Sequence, residues 1–378
     1  MTSPSPPAGR LAGIDTLRGL SAVAVLVCHI AGYWAFLTLP GKLPQLMALG
    51  AHGVDVFIVI SGFVLFVPVV RASGRLDARQ FYGRRALRIL PAYYLALAIA
   101  AVLAMSPATW DLVVAQQASW PELVLHALGV QTWFPGALGT INGSLWSVSL
   151  ELHLYLVFPL LVLVWRRWGM TPLLLGSVVL AAAWSATDGW GVTGPVGFGL
   201  GDGHALPSRL LQFVAGMWCA TRVVPGREGR GAAWAVASVG TGVLAVVATS
   251  TDQHEVVKHV VWAALGVSLV MLMCSARPRP ERLAITESFG ERAYSFYLLH
   301  QPVLFLLAPV VARFPGGWTV QLLLGGLVSL AVTTVLAYLM YRTVEAPTHR
   351  LGRRLFPSPT RRPGAVGQAP VPGGNDLR

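Results

Sequence analysis

The chain has 378 residues, of which 54% are hydrophobic and only 12% charged, with a formal charge of +12 at neutral pH. A soluble domain carries roughly one-quarter charged residues, so this composition and the mean hydropathy of +0.62 exclude that class in favour of a polytopic membrane protein. An excess of arginine would also suit nucleic acid, but here the arginines stand in short clusters between apolar runs, which is the pattern of topology signals.

In chain order, residues 1–12 are rich in Pro and Ser and are expected to be disordered. Residues 13–350 read as one all-α membrane domain, and 351–378 as a basic, Pro/Gly-rich disordered tail. Runs apolar enough to serve as spans of around 20 residues lie near 17–37, 53–70, 89–106, 146–165, 172–186, 206–222, 232–250, 257–275, 292–312 and 318–341, about ten in all. The run at 122–135 is shorter, carries Glu122 and His126 and stops at Pro135, which predicts an interfacial or re-entrant helix. Ten spans with both termini cytoplasmic leave only Lys42, Arg209, Lys258 and Arg313 of the 28 basic residues on the outer side, as the positive-inside rule requires. The first run lacks a signal-peptide cleavage site and further spans follow it. Cys28, Cys219 and Cys274 all lie in apolar runs, with neither disulfide nor metal-ligand spacing, so no metal is expected.

The first span holds Arg18 and, eleven residues on, His29. On a helix that separation is about three turns, roughly 16 Å, and returns to nearly the same face. An ionisable group inside a span needs a partner, water or a ligand, so a cationic anchor and a titratable nitrogen along one channel point to function. The alternative is a snorkelling arginine and a histidine satisfied by a nearby carbonyl. Asp15 precedes this pair. In the second span, His52, Asp55 and Ser61 flank close-packing glycines, and Asp55 either serves a site or caps the outer helix end. Arg84, Arg85 and Arg88, three and four apart, share a helix face where forked guanidiniums could grip one polyanion; a plain topology anchor is the alternative. After Trp146, residues Ser147, Glu151 and Tyr155 recur every four positions and form a polar stripe on an apolar helix, which favours a cavity lining. Tyr297 and His300 lie one turn apart before Gln301-Pro302, where His300 could equally stabilise a kink, and Glu345 near the end of the last span could pair with an arginine.

Taken together, the runs Asp15-Thr-Leu-Arg18…His29, Gly53-Val-Asp-Val-Phe…Ser61-Gly-Phe, Arg84-Arg85-x-x-Arg88, Trp146-Ser147-Val-Ser-Leu-Glu151…Tyr155, Tyr294-Ser-Phe-Tyr-Leu-Leu-His300-Gln-Pro and Val344-Glu345-Ala-Pro347 resemble the acyltransferase 3 family, in order from about 13 to 350. These are membrane-bound O-acyltransferases of bacterial sugars, polysaccharides and macrolide-type antibiotics. The resemblance implies a bacterial cell-membrane protein with an acyl-CoA co-substrate, such as acetyl-CoA, and no permanently bound cofactor. It further implies Arg18 and His29 as the functional centre and the Arg84, Arg85, Arg88 cluster as the donor contact. Only a short tail follows the last span, in contrast to larger members with an appended domain, and this leaves the whole reaction to the membrane domain.

On this reading His29 takes the proton of an acceptor hydroxyl as it attacks the thioester, the general-base role of imidazole. Glu151 orients His29 or holds the acceptor, while Asp15, His52, Asp55, Ser61, Trp146, Ser147, Tyr155, Tyr297, His300 and Glu345 are acceptor contacts or supports. The acceptor is a hydroxylated small molecule or glycan. A secondary transporter or flippase would also carry intramembrane His, Glu and Arg, but with paired halves and broken helices near the bilayer centre.

Overall fold

With no water in the hydrocarbon to satisfy backbone N–H and C=O groups, each apolar run must bond internally, and the helix is the solution open to a single segment. The computed structural model describes residues 13–357 apart from 110, 112–117, 189, 192–196, 225, 227–228 and 277–279. The tails expected at 1–12 and beyond 357 lie outside the described residues. The helices are α1 (Ile14–Tyr33), α2 (Leu43–Ala48), α3 (Gly53–Arg71), α4 (Ala78–Met105), α5 (Trp120–Leu128), α6 (Trp146–Trp168), α7 (Met170–Ser185), α8 (Leu206–Val223), α9 (Gly231–Ser250), α10 (Glu255–Ala276), α11 (Pro280–Gly290) and α12 (Ala293–Val311). A long α13 (Gly317–Leu355) completes the series, interrupted by two π-helical turns at Gln321–Gly325 and Tyr341–Glu345. Among the described residues there is no strand, only an isolated bridge between Gly191 and Gly199.

Eight of these segments are long and apolar enough to cross a bilayer, against the ten expected. The two that fall short are both helical: α7 has 16 residues, and α8 is less apolar because it carries Arg209, Gln212 and Arg222. Protein surrounds α8, and residues Pro207 to Met217 are all buried. Polar side chains are tolerated there because they face other helices and not lipid.

The centre of the bundle is the crossing of α3 and α8. A Cβ on Gly62 would stand 2.0 Å from the Phe213 carbonyl oxygen, and one on Gly216 would stand 1.9 Å from that of Val59. Only glycine lets the two backbones approach this closely. The outer helices, α9 above all, turn side chains such as Val236 and Val239 outward at 74% and 70% exposure. Apolar exposure on that scale marks a lipid-facing surface.

Three local devices orient the site. Glu287 of α11 accepts hydrogen bonds from the backbone N–H of Gly13 (2.6 Å) and Thr16 (3.4 Å), satisfying the open end of α1. The run at 122–135 forms the short α5, started by a Ser119–Glu122 capping box and followed by two 3₁₀ turns. Finally, helix continues from 346 to Leu355, so the tail expected from 351 begins inside α13. The reason is packing: Gly352 lies against Leu87 and Arg84 of α4, and Phe356 against Gly83.

Candidate active site

Two adjoining spaces open at the arginine-rich end of the bundle. The deeper is a cavity of about 100 Å³ between α1, α3, α4, α6 and the start of α12. The shallower is a groove of about 910 Å³ between α3, α4 and the end of α13. Arg85 and Arg88 line both. The basic triplet is therefore divided by its helical spacing: two guanidiniums stand on the shared wall, and Arg84 turns to the groove alone, its Nε donating to the Phe356 carbonyl at 2.6 Å.

The cavity is where the polar stripe of α6 is spent. Glu151 accepts hydrogen bonds from the Ser61 hydroxyl at 3.4 Å and from the Tyr155 hydroxyl one turn on. The Arg85 guanidinium lies over the Tyr155 ring, 5.4 Å from its centroid. Ser147 donates to the Tyr297 hydroxyl at 2.8 Å, and Tyr297 donates to the Ser144 carbonyl at 3.0 Å. Arg18 enters the same cavity from α1, steered by an ion pair with Asp15 at 3.2 Å. Six of the residues singled out from the sequence (Arg18, Ser61, Ser147, Glu151, Tyr155 and Tyr297) thus share one space with Arg85 and Arg88.

His29 does not line that space. Its ring turns inward, stacked on His300 with ring centroids 4.9 Å apart and beside Tyr33 at 4.8 Å. The His29 Nδ1 is 2.7 Å from His300 Nε2, and His300 Nδ1 is 2.5 Å from the Tyr297 carbonyl oxygen. A carbonyl can only accept, so His300 Nδ1 carries a proton and, in the neutral ring, Nε2 is the acceptor. His29 Nδ1 must then be the donor, which leaves the lone pair of neutral His29 on Nε2. Tyr297 is the partition: its hydroxyl faces the cavity and its carbonyl holds the histidine pair.

Other expected members stand elsewhere. His52, Asp55 and Trp146 belong to a buried network around α8, apart from the cavity. Asp55, 2% exposed, accepts from Arg209 (2.5 Å) and Gln212 (2.5 Å) and lies 2.7 Å from His52 Nδ1. Trp146 lies under the Arg209 guanidinium, 5.4 Å away, and against the His204 ring. In the loop before α8, burial raises the Asp202 carboxyl, but its hydrogen bonds with His204 outweigh this and hold it below its ordinary value. Glu345 does not form the expected arginine pair: its carboxylate accepts from Ser295 at 2.7 Å. Arg209 was legible as one of four basic residues on the wrong side of the charge count, and its partner Asp55 as an acid in a span. His349 and Arg353, which line the groove, fall close to or within a segment expected to be disordered. Among the described residues no group of three or more His, Cys, Asp or Glu could hold a metal.

The fold is an all-helical membrane bundle with a basic groove beside a cavity that holds a carboxylate, and sequence comparison gives its class. The family model described as an acyltransferase domain matches residues 11–342, and the chain belongs to this acyltransferase 3 family. The curated relatives include acyltransferase MdmB of Streptomyces mycarofaciens, 28% identical over an alignment that covers 96% of this chain and 97% of that protein. They also include exopolysaccharide production protein ExoZ of Rhizobium meliloti, 28% identical over 81% of this chain and 91% of its own length. A third, peptidoglycan O-acetyltransferase OatA of Listeria monocytogenes, is 24% identical over 90% of this chain, which spans 56% of that longer protein. No solved structure matches.

Proposed function

We propose that the protein moves an acyl group from acyl-CoA, acetyl-CoA or another short acyl-CoA, to a hydroxyl of a sugar-containing acceptor or a secondary metabolite such as a macrolide. It would act in the bacterial cell membrane with both termini cytoplasmic. The observation that carries the reading is the shared wall: Arg85 and Arg88 belong at once to a wide basic groove and to an adjoining cavity lined by Glu151 and Tyr297. A molecule with a polyanionic head and a small reactive end fits such a pair of spaces, the phosphates on forked guanidiniums in the groove and the thioester threaded past them. The family and its relatives support acyl chemistry, and MdmB, similar over 97% of its own length and 96% of this chain, supports an acyltransferase of the same extent.

In the step itself the acceptor oxygen attacks the thioester carbonyl carbon, and its proton passes to His29 Nε2. The C–S bond then breaks, and the leaving thiolate takes the proton back from the imidazolium. His300 acts on His29 as a positioning residue: its Nε2 accepts from His29 Nδ1 and favours the tautomer with a basic Nε2, a role like that of the carboxylate in a hydrolase triad. For the acyl carbon to reach His29 the Tyr297 side chain has to swing out of the partition, exchanging its bonds to Ser147 and Ser144 for the substrate. Glu151 holds the acceptor hydroxyl in the cavity.

The test is transfer of label from radioactive acetyl-CoA to a panel of macrolides and glycans by purified protein in lipid. Transfer that His29→Ala abolishes without loss of folded protein is the expected result. Full transfer by that variant would remove His29 from the mechanism, and no transfer or donor hydrolysis by wild type with any acceptor would remove the donor assignment.

A further inference from the structure

The groove has a wall that the acyltransferase match, ending at residue 342, does not reach. From α4 come Gln80, Arg84, Arg85 and Arg88; facing them from the end of α13 come His349 and Arg353. These last two are four residues apart and so share one helix face. That face is fastened down. The Phe356 ring occupies the space over Gly83, where a Cβ would meet it at 2.3 Å, and the Phe356 carbonyl accepts from Arg84 Nε at 2.6 Å. The Pro357 carbonyl accepts from the Gln80 side chain. Among the described residues the one carboxylate on the wall, Asp77, caps α4 through the Gln80 N–H at 3.0 Å and is outnumbered by Arg75, Arg84, Arg85, Arg88 and Arg353, so the groove stays basic.

We infer that His349 and Arg353 contact the phosphates of the acyl donor's nucleotide, so that the donor site is closed by the C-terminal helix. The inference rests on the donor reading above and adds two residues to it. The nucleotide head of coenzyme A carries a 3′-phosphate and a 5′-diphosphate, too much charge to be matched by one arginine row on α4. Arg353 adds a cation across the groove and His349 beside it a ring N–H donor, so separate phosphates are gripped from both sides by bonds to ionised oxygens. The continuity of the groove with the cavity at Arg85 and Arg88 sets the direction, with the nucleotide outward and the thioester inward. Phosphates of anionic lipid headgroups offer the same chemistry to a basic helix near a membrane surface, and the experiment separates the two sources.

Full-length protein is placed in nanodiscs of neutral phosphatidylcholine and titrated with coenzyme A by calorimetry. Arg353→Gln is expected to weaken binding about tenfold to a hundredfold, Arg353→Lys to weaken it less, and Phe356→Ala, which unfastens the helix without changing charge, to weaken it in the same direction. Thermal unfolding of each variant checks that the bundle is intact. Wild-type affinity in Arg353→Gln would overturn the inference. So would a variant whose only change is the loss of stabilisation by phosphatidylglycerol nanodiscs, because Arg353 would then serve headgroups. Wild-type protein that ignores coenzyme A would sink the donor reading itself, a result distinct from loss of effect at Arg353 alone.

Discussion

His29 and His300 are 271 positions apart in the chain, yet their rings stack and His29 Nδ1 lies 2.7 Å from His300 Nε2. The bond fixes which nitrogen of each neutral ring carries the proton, because the far end of the chain of bonds is a carbonyl that can only accept. Two histidines that sequence alone would treat as separate candidates thereby act as one unit.

If that unit carries proton transfer, the two substitutions differ in kind. His29→Ala should lower kcat by about 10³-fold or more, and His300→Ala by about 10²-fold, through loss of the favoured tautomer. KM for the donor should stay near wild type in both, since neither ring touches the groove. Steady-state transfer assays that vary acyl-CoA would measure this split, and equal rises in donor KM would contradict it.

Arg85 and Arg88 predict the opposite signature. Removing either guanidinium from the shared wall should raise donor KM about tenfold to a hundredfold, with a smaller effect on kcat. The wild-type donor KM should itself rise with salt, because the groove is open to solvent where ionic screening operates. Salt titrations of wild type and Arg88→Ala test both statements; the variant should show the weaker salt dependence.

The Asp55–Arg209 pair should govern stability and not chemistry. Truncating Asp55 to Ala strands a buried guanidinium and should cost about 3–5 kcal/mol, whereas replacing both members by apolar residues of similar volume should recover much of the loss. Thermal unfolding in detergent of Asp55→Ala and of Asp55→Leu with Arg209→Met would show the difference. Unfolding transitions unchanged in Asp55→Ala would mean that the network is dispensable.

Gly216 offers a further test of the central crossing. Its missing Cβ would stand 1.9 Å from the Val59 carbonyl oxygen, a backbone atom that cannot move aside as a flexible side chain would. Gly216→Val should therefore greatly reduce the yield of folded, monodisperse protein. Substitution at Gly240, where nothing lies within 4 Å, should leave the yield unchanged. Size-exclusion profiles of the two variants decide it.

Composition and hydropathy by themselves determined that this is an all-helical membrane protein, because hydrocarbon imposes one solution on any apolar run of sufficient length. The four-residue repeat of Ser147, Glu151 and Tyr155 likewise disclosed a cavity wall, since a polar stripe on such a helix has to meet something other than lipid. The ordered motifs disclosed the family. Pairing was beyond reach. Nothing local says that Asp55 meets Arg209, that Glu345 meets Ser295, that His300 holds His29, or that Tyr297 stands between the histidines and the arginines. Those relationships depend on how helices distant in sequence cross, and the crossings depend on close contacts such as Gly62 with Phe213 and Gly216 with Val59. Local periodicity gives the face a residue occupies; only tertiary packing decides what that face meets.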